Sequence, residues 1–260
     1  MKFCRFSPHD SDDSYVARLE GARVIPFPGG ETIANLTQPV TAKALPLAEV
    51  RLLAAVTPSK IVCVGRNYLD HAIELGNKLP AEPLLFLKAP SAIIGPDAII
   101  ELPPQSSQVE HEGELGVVIG RTAHNIGEED DPLSYVFGYT CINDVTARDL
   151  QRKDVQFTRA KSFDTFCPVG PVIATDLDPR NIQVATRVNG VTKQQARTSD
   201  MAFSVSELVR YIAQMMTLYP GDLVATGTPA GVSQLKHGDV VEVEVEGVGV
   251  LQNQVSAPGD

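Results

Sequence analysis

The chain has 260 residues, of which 43% are hydrophobic and 21% charged, and its formal net charge at pH 7 is -10. This is the composition of an ordinary globular protein, long enough for one large domain with a small appendage. The negative charge argues against nucleic acid and anionic membrane surfaces as partners, and no apolar run approaches the roughly 20 residues of a membrane span. The four cysteines are widely spaced and no signal-peptide pattern occurs, so we expect a cytoplasmic protein with reduced thiols.

The first 57 residues are predicted to form a small β-rich domain, and residues 58–260 a larger one. Residues 15–26 resemble a β-hairpin that turns at residues 20–21. The stretch from residue 47 to residue 56 predicts a short helix, which the following Thr-Pro would close. No side chain of the smaller region suggests chemistry.

A buried strand and a short helix open the larger region. Residues 60–65 form a compact apolar run, and residues 69–76 follow as a helix with Gly76 as its C-terminal cap. His71 and Glu74 are three residues apart and lie on one helix face, where a carboxylate can orient an imidazole and raise its basicity. From the residues alone, the pair is either a general base or an ordinary surface ion pair.

Residues 109–120 begin with alternating glutamates and continue as an apolar run, which predicts a strand. Glu110, Glu112 and Glu114 would then share one face, with neighbouring Cα atoms roughly 6–7 Å apart. Like charges entering a core are costly unless a cation lies among them, and oxygen ligands suit Mg²⁺, Mn²⁺ or Ca²⁺ better than zinc. The alternative is a solvated strand edge.

A second buried strand is predicted at residues 136–142, after a short helix at residues 130–135. Asp144 comes directly after this strand, in the position where sites on mixed sheets collect. It is either a third metal ligand or the N-cap of the polar helix that follows, and both roles are compatible. Arg148 and Gln151 lie one turn apart on that helix.

Lys161 lies in an aromatic stretch, residues 160–166, that favours neither helix nor strand. A lysine in such surroundings could contact an anionic substrate, although most lysines are simply solvated. An acidic protein that binds an anion needs local attraction, from a metal ion, a few basic side chains or backbone N–H groups. Residues 226–231, Thr-Gly-Thr-Pro-Ala-Gly, offer such donors after a predicted strand.

The C-terminal part is predicted to be mostly β. Residues 188–191, Val-Asn-Gly-Val, are a strong hairpin signal. Ser204 and Glu207 form a capping box that opens a helix over residues 205–218. Residues 239–251 alternate and predict a hairpin with one solvated face, which carries Glu242, Glu244 and Glu246.

Six short motifs follow one another from about residue 58 to the C-terminus. They are Gly-Arg-Asn-Tyr at 65–68 with His71 and Glu74, Glu-Gly-Glu-Leu at 112–115, Asn-Asp-Val-Thr-Ala-Arg-Asp at 143–149, Lys-Ser-Phe-Asp-Thr at 161–165, Pro-Gly-Asp at 220–222, and Thr-Gly-Thr-Pro-Ala-Gly at 226–231. In this order they resemble the fumarylacetoacetate hydrolase family, and closely its acylpyruvase and oxaloacetate decarboxylase branch. The first 57 residues match the family only loosely.

The resemblance implies an α+β, mostly β fold, in which a mixed β-roll carries short peripheral helices and a small β-rich N-terminal appendage. It also implies a divalent metal ion, Mg²⁺ or Mn²⁺, and a homodimer. The family's metal carboxylates match Glu112, Glu114 and Asp144, so Glu110 is expected to be a bystander.

The remaining site residues are likewise implied by the resemblance. His71 and Glu74 match a dyad on a mobile lid that activates water, and Lys161 matches a lysine that contacts a substrate oxygen. The family's substrate-side groups match Arg66, Gln151 and Thr228.

The reaction implied is chemistry on a small α-keto or β-diketo acid, with the metal ion as a Lewis acid toward an enolate and Lys161 as additional positive charge. We expect first a hydrolase that cleaves a C–C bond in acylpyruvates or fumarylpyruvate, because the dyad can deliver water. The alternatives are an oxaloacetate decarboxylase and a hydroxymuconate-type isomerase or decarboxylase of aromatic catabolism. Outside the enzymes, the alternative is an α-keto acid binding protein.

Overall fold

The computed structural model describes residues 1–27 and 43–257. The strands in this part of the chain are β1 (Lys2–Pro8), β2 (Tyr15–Glu20), β3 (Arg23–Pro26), β4 (Leu45–Pro46), β5 (Val50–Leu53), β6 (Ile61–Gly65), β7 (Leu84–Lys88), β8 (Ile93–Ile94), β9 (Ile99–Glu101), β10 (Val109–Glu110), β11 (Gly113–Ile119), β12 (Val136–Asn143), β13 (Thr146–Ala147), β14 (Cys167–Ala174), β15 (Gln183–Val188), β16 (Val191–Arg197), β17 (Leu223–Ala225), β18 (Val240–Val245) and β19 (Gly249–Ser256). The α-helices are α1 (Leu69–Glu74), α2 (Arg148–Lys153), α3 (Thr158–Lys161) and α4 (Val205–Met215), and short 3-10 helices lie at Leu47–Glu49, Pro90–Ala92, Pro132–Tyr135, Pro179–Asn181 and Thr198–Asp200.

The strands form one large sheet and two smaller ones. The large sheet has twelve strands, of which ten follow the order β4-β3-β2-β1-β14-β12-β11-β17-β6-β7, while β5 pairs with β1 and β8 with β14. A five-stranded sheet has the order β16-β15-β18-β19-β9, and β10 and β13 form a separate pair. The predicted α+β, mostly β fold is confirmed. No helix among the described residues combines the length and apolar character that crossing a membrane requires.

Strand β11 lies at the centre of the fold and is buried along its whole length. Leu115, Val117 and Ile119 belong to the largest apolar cluster, and Val118 belongs to a second cluster on the opposite face. A strand covered on both faces favours a continuous apolar run over an alternating one. Carboxylates attached to this strand are therefore carried into the interior.

The N-terminal strands continue the large sheet, because β1 pairs antiparallel with β14. The predicted helix over residues 47–56 is wrong. Only a 3-10 turn forms at Leu47–Glu49, and the following residues become β5, which pairs with β1. Pairing with an existing strand outweighs weak local helix preference. The division of the chain at residue 57 stays a prediction.

Several local predictions are confirmed. The first hairpin joins β2 and β3, the Asn189-Gly190 turn joins β15 and β16, and the terminal hairpin joins β18 and β19. Helix α1 occupies the predicted segment, and Ser204 and Glu207 form the capping box of α4.

Other elements differ from the prediction at their boundaries. The segment expected as a helix at residues 130–135 is a 3-10 helix that Asp131 caps, and the polar helix expected from residue 145 begins at Arg148. The stretch around Lys161 includes a helix after all, because α3 ends at that residue.

The acidic segment is two strands instead of one. Glu110 ends β10, which pairs with β13, whereas Glu114 lies on β11 in the large sheet. His111 and Glu112 lie between the two strands. The three glutamates therefore do not share one strand face, and all three are buried, so the solvated-edge alternative is also wrong.

Gly113 allows the two larger sheets to approach beside the acidic segment. A Cβ atom at this position would overlap Thr186 Oγ1 on β15 and lie 3.3 Å from Val243 Cγ1 on β18. Thr186 is buried, and its hydroxyl has no hydrogen-bond partner among the described residues. The space beside Gly113 is therefore fully occupied.

We predict that Gly113→Ala lowers the free energy of unfolding by about 1–3 kcal/mol, the usual cost of overpacking a core. Urea denaturation of the variant and the wild-type protein measures the difference. A second substitution, Thr186→Ala, removes the overlapping hydroxyl and should restore part of the loss, whereas Thr186→Ala alone serves as the control. Equal stability of Gly113→Ala and wild type would contradict the close approach.

Candidate active site

A cavity of about 370 Å³ opens beside β11, and most of the predicted site residues line it. Those that do are Arg66, His71, Glu112, Glu114, Gln151, Lys161 and Thr228. Asp144 and Glu74 lie behind them, as their contacts show below. Two arginines that the sequence analysis did not assign to the wall, Arg148 and Arg152, also line the cavity.

Three buried carboxylates meet at the closed end of this cavity. Glu112, Glu114 and Asp144 each offer an oxygen within 4.8 Å of the others. The antiparallel pairing of β11 with β12 places Gly113 opposite Asn143. Asn143 Oδ1 accepts a hydrogen bond of 3.0 Å from the Glu112 N–H, and the Asp144 N–H donates to Glu112 O at 2.8 Å. We call these three carboxylates the acidic triad.

Asp144 does not cap helix α2. The N-cap residue is Ala147, and it makes no side-chain capping bond. Asp144 instead accepts hydrogen bonds from two buried lysines, Lys88 Nζ at 2.6 Å to Oδ1 and Lys161 Nζ at 2.6 Å to Oδ2. The N-cap alternative is therefore wrong.

Lys161 connects two members of the acidic triad, because its Nζ also lies 2.8 Å from Glu112 Oε2. Burial by itself would lower the pKa of Lys161, but Asp144 and Glu112 outweigh burial and raise it above the usual range. The ammonium therefore stays charged. Its aromatic neighbour is Phe86 on β7, whose ring centroid lies 4.9 Å from Nζ.

Lys88 is a site residue that the sequence analysis missed. It ends the apolar strand β7, is 2% exposed, and donates to Val145 O as well as to Asp144. A lysine at the end of an apolar strand is a weak signal by itself. Only the pairing of β7 with β6 and its packing against α3 show that the ammonium faces inward.

Arg148 connects the acidic triad to Glu110. Its Nε donates to Glu110 Oε2 at 2.7 Å, its Nη2 donates to Glu112 Oε1, and its Nη1 donates to Gln151 Oε1 at 2.6 Å. Glu110 lies outside the triad, but it is buried and holds a buried arginine. It is therefore not a bystander to the site.

Glu114 is the one triad member without an ion pair in the part of the chain that the structure describes. Its Oε2 accepts a hydrogen bond of 2.7 Å from the Gly227 N–H. Burial, together with the charges of Asp144 and Glu112, raises the pKa of Glu114 well above its usual range. Burial also favours a raised pKa for Glu112, but Lys161 and Arg148 outweigh it and hold that pKa below its ordinary value.

The buried charges of this cluster include more carboxylates than cations, which favours the binding of a further cation. Four buried carboxylates, those of Glu110 and the triad, face the three cations Lys88, Lys161 and Arg148. A buried carboxylate without compensation is costly. Oxygen-only ligation suits Mg²⁺ or Mn²⁺, so the residues present fit a divalent ion held by Glu112, Glu114 and Asp144.

His71 and Glu74 form a pair at the cavity, with Nδ1 of the imidazole 3.2 Å from Oε2 of the carboxylate. His71 is only 4% exposed, so the surface ion-pair alternative does not apply to it. Glu74 is held in turn by the Gly231 N–H, at 3.0 Å from Oε1 and 3.2 Å from Oε2. The turn at residues 226–231 does offer N–H groups to carboxylates, but in this structure they are the protein's own, on Glu74 and Glu114.

A buried neutral network supports the same turn. His111 Nδ1 lies 3.0 Å from Gln194 Oε1, and Gln194 Nε2 donates to Thr228 Oγ1 at 2.7 Å. Thr228 Oγ1 donates to Gly113 O at 2.9 Å. Burial lowers the pKa of His111, so its ring stays neutral. The sequence analysis missed both His111 and Gln194, since neither belongs to a charged pattern.

Comparison with known proteins gives two family matches. The sequence model for the C-terminal region of fumarylacetoacetate (FAA) hydrolase matches residues 60–256. A second model, described as Rv2993c-like, N-terminal, matches residues 1–54.

Individual relatives are named for different enzymatic activities. The oxaloacetate tautomerase Fahd2a, mitochondrial, of Rattus norvegicus is 42% identical over 87% of this chain and 77% of its own length. The crystal structure of 5-carboxymethyl-2-hydroxymuconate delta-isomerase from Mycobacterium smegmatis is 40% identical, with a TM-score of 0.89 over 99% of this chain and 100% of that one. Fumarylacetoacetate hydrolase from Exiguobacterium antarcticum is 40% identical, with a TM-score of 0.88 over 99% of both chains.

We predict that Mg²⁺ or Mn²⁺ raises the melting temperature of the wild-type protein, because an ion that binds only the folded state stabilises it. At a concentration 100 times the dissociation constant the gain is about 2.7 kcal/mol, or roughly 5–10 °C for a chain of this size. Glu114→Gln should abolish this shift without lowering the melting temperature of the metal-free protein, since it replaces a buried carboxyl group that has no ion pair by a neutral amide of similar shape. Differential scanning calorimetry with and without chelator measures both.

Glu244→Gln is the matched control, because Glu244 lies on β18 and is paired with Arg187, away from the cavity. It should respond to metal as the wild-type protein does. An undiminished metal response in Glu114→Gln would show that the acidic triad is not the metal site.

Proposed function

Because the chain belongs to the fumarylacetoacetate hydrolase family, we propose that it is a divalent-metal-dependent enzyme that enolises small α-keto acids, with keto–enol tautomerisation of oxaloacetate as its first candidate reaction. The observation that carries the proposal is one cavity lined by two carboxylates of the buried acidic triad, a buried lysine and the buried histidine of the His71–Glu74 pair. Enzymes of this family generally use a divalent metal ion. The activity named for the rat relative is the same tautomerisation.

We assign the metal site to Glu112, Glu114 and Asp144, with Mg²⁺ or Mn²⁺ as the ion. When bound, such an ion would act as a Lewis acid that stabilises negative charge on the keto oxygen of the substrate. Lys161 is the chain's own contribution to that stabilisation. It is charged, buried and fixed between two triad members, so little reorganisation accompanies the reaction.

His71 is the proposed proton carrier. Its Nδ1 faces Glu74, so the carboxylate selects the tautomer with hydrogen on Nδ1 and leaves Nε2 as the base. In tautomerisation, Nε2 takes a proton from the carbon next to the keto group. The enolate oxygen then takes up one proton, either the same one from Nε2 or one from solvent while Nε2 releases its own to solvent. Glu74 stabilises the imidazolium formed in between. No water enters the product, and no bond between heavy atoms breaks.

The substrate-side residues orient the acid in this scheme. Gln151 accepts a hydrogen bond from Arg148, which leaves its side-chain NH₂ free to donate toward a substrate oxygen. Arg66 lines the cavity, and its guanidinium makes no hydrogen bond or ion pair with the described residues. Thr228 connects the wall of the cavity to Gly113, so its first role is to hold that wall.

Hydrolysis of acylpyruvates or fumarylpyruvate, which the sequence analysis placed first, is the second candidate. It is favoured by the likeness to the hydrolase of Exiguobacterium antarcticum and by the same His71–Glu74 pair, which can deprotonate water as well as carbon. Tautomerisation comes first here because the rat and Mycobacterium smegmatis relatives are named for proton relocation. Oxaloacetate decarboxylation would begin at the same enolate. A non-catalytic α-keto acid binding protein would be favoured if one of the proposed site residues were missing. All of them are present in this chain.

We predict that the metal-loaded protein accelerates keto–enol interconversion of oxaloacetate, followed by the ultraviolet absorbance of the enol, and that chelation abolishes the activity. Release of CO₂ from oxaloacetate and pyruvate formation from acetylpyruvate are measured in parallel. Faster cleavage of acetylpyruvate than enolisation of oxaloacetate would place the hydrolase first. Dominant CO₂ release would make the protein a decarboxylase.

We predict that His71→Ala slows the preferred reaction by about 10²–10⁴-fold, the usual contribution of general acid–base catalysis. Steady-state kinetics measures kcat, and calorimetric titration with Mn²⁺ checks that the metal site is intact. His124→Ala is the control, because His124 is exposed and contacts Thr217 outside the cavity. A His71→Ala variant as fast as wild type would remove the histidine from the mechanism.

Homodimer formation, which the resemblance implies, and a cytoplasmic location, which the cysteine spacing and the lack of a signal-peptide pattern led us to expect, remain predictions. Light scattering coupled to size-exclusion chromatography tests the first.

A further inference from the structure

Arg152 lines the cavity but has no role in the proposed mechanism. It lies on α2, directly after Gln151, and is exposed at the cavity mouth. Its side chain has one partner among the described residues: Nη1 donates to Gln108 Oε1 at 3.0 Å. An amide orients the guanidinium without neutralising it. Arg152 therefore presents an uncompensated positive charge to the cavity.

The partner of Arg152 is itself held by other hydrogen bonds. Gln108 Nε2 donates to Glu110 Oε1 at 2.6 Å, and Gln108 O accepts the Arg148 N–H at 2.7 Å. Because the amide nitrogen is committed to Glu110, the oxygen must face Arg152. Glu110 also accepts a hydrogen bond from Arg148, and Arg148 donates to Glu112 of the acidic triad. A series of hydrogen bonds therefore connects Arg152 to a proposed metal ligand.

Two other arginines, Arg148 and Arg159, do not share this property. Arg148 is neutralised by Glu110 and Glu112, and Arg159 forms a two-point ion pair with Asp154. Arg66, on the loop after β6, resembles Arg152 in lining the cavity with a guanidinium that has no charged partner in the part of the chain that the structure describes. The cavity therefore has two uncompensated guanidinium groups, although the net charge of the chain is -10.

We propose that Arg152, together with Arg66, binds the second carboxylate of the substrate and so selects α-keto diacids over α-keto monoacids. The inference rests on the proposed function, in which the keto group and its carboxylate face the acidic triad and Lys161. A diacid held in that way directs its far carboxylate away from the triad. A planar guanidinium is the side chain best suited to pair with it.

The test compares two substrates that differ only in the far charge: oxaloacetate and its methyl ester at the carboxylate farther from the keto group. The values of kcat/KM are measured for wild type, Arg152→Gln, Arg152→Lys and Lys153→Gln. Lys153 is the matched control because it is exposed, carries the same charge on the same helix and does not line the cavity. It reports any general effect of a lost surface charge.

We expect the wild-type protein to prefer the diacid, and Arg152→Gln to lower kcat/KM for oxaloacetate by about tenfold, the order expected for a hydrogen bond to a charged group. The loss should appear mainly in KM, since the contact lies away from the reacting carbon. The ester should be affected little, Arg152→Lys should retain part of the preference, and Lys153→Gln all of it. An equal loss for both substrates, or an unchanged preference in Arg152→Gln, would overturn the assignment.

Binding measured by calorimetry separates this inference from the proposed function. If the wild-type protein turns over neither substrate, the proposed function fails, and the dissociation constants of the diacid and the ester still decide the role of Arg152. Tighter binding of the diacid that Arg152→Gln removes supports the second-carboxylate site. Equal binding of diacid and ester by the wild-type protein overturns it.

Discussion

Compensation of buried charge is the constraint on which the rest of this structure depends. Six buried side chains alternate in sign from the edge of the cavity to the interior: Glu110, Arg148, Glu112, Lys161, Asp144 and Lys88. Removing one partner of a buried ion pair commonly costs about 3–5 kcal/mol, because the other is left uncompensated. Each member therefore holds its neighbours in position. Glu114 lies beside this series without a cation of its own among the described residues, which is the physical reason to expect a metal ion there.

One glycine-containing turn orients both halves of the site. The Gly227 N–H binds the carboxylate of Glu114, and the Gly231 N–H binds that of Glu74. Both glycines have positive φ, 99° and 104°, a backbone conformation that other residues adopt only with strain. Glu114 of the acidic triad and Glu74 of the histidine–glutamate pair come from distant parts of the chain, yet both are held by peptide groups of the same turn. A shift of this turn would disturb both together.

The carboxylates and the uncompensated arginines occupy different parts of the cavity. The acidic triad and Lys161 are buried, whereas the uncompensated Arg66 is partly exposed and Arg152 is exposed. An acidic protein thereby creates local attraction for an anion without changing its overall charge. Under the proposed function, the same arrangement would give a substrate with two different ends a preferred orientation, which would position the reacting carbon before any chemistry occurs.

Local patterns in the sequence determined much of this protein. Alternation and turn residues were enough to predict the hairpins, and a capping box was enough to predict the start of α4. The order of six motifs was enough to identify the family and the three carboxylates that meet in the triad. They did not reveal the break between Glu110 and Glu112, the inward-facing Lys88, the His111–Gln194 network or the place of Arg152. Lys88 and Asp144 are 56 positions apart in the chain, and His111 and Gln194 are 83 apart. Short-range geometry decides which residues form a strand, a turn or a cap, and it can be read from neighbouring residues. Which charges compensate one another depends on how distant strands pack, so only the tertiary structure decided it.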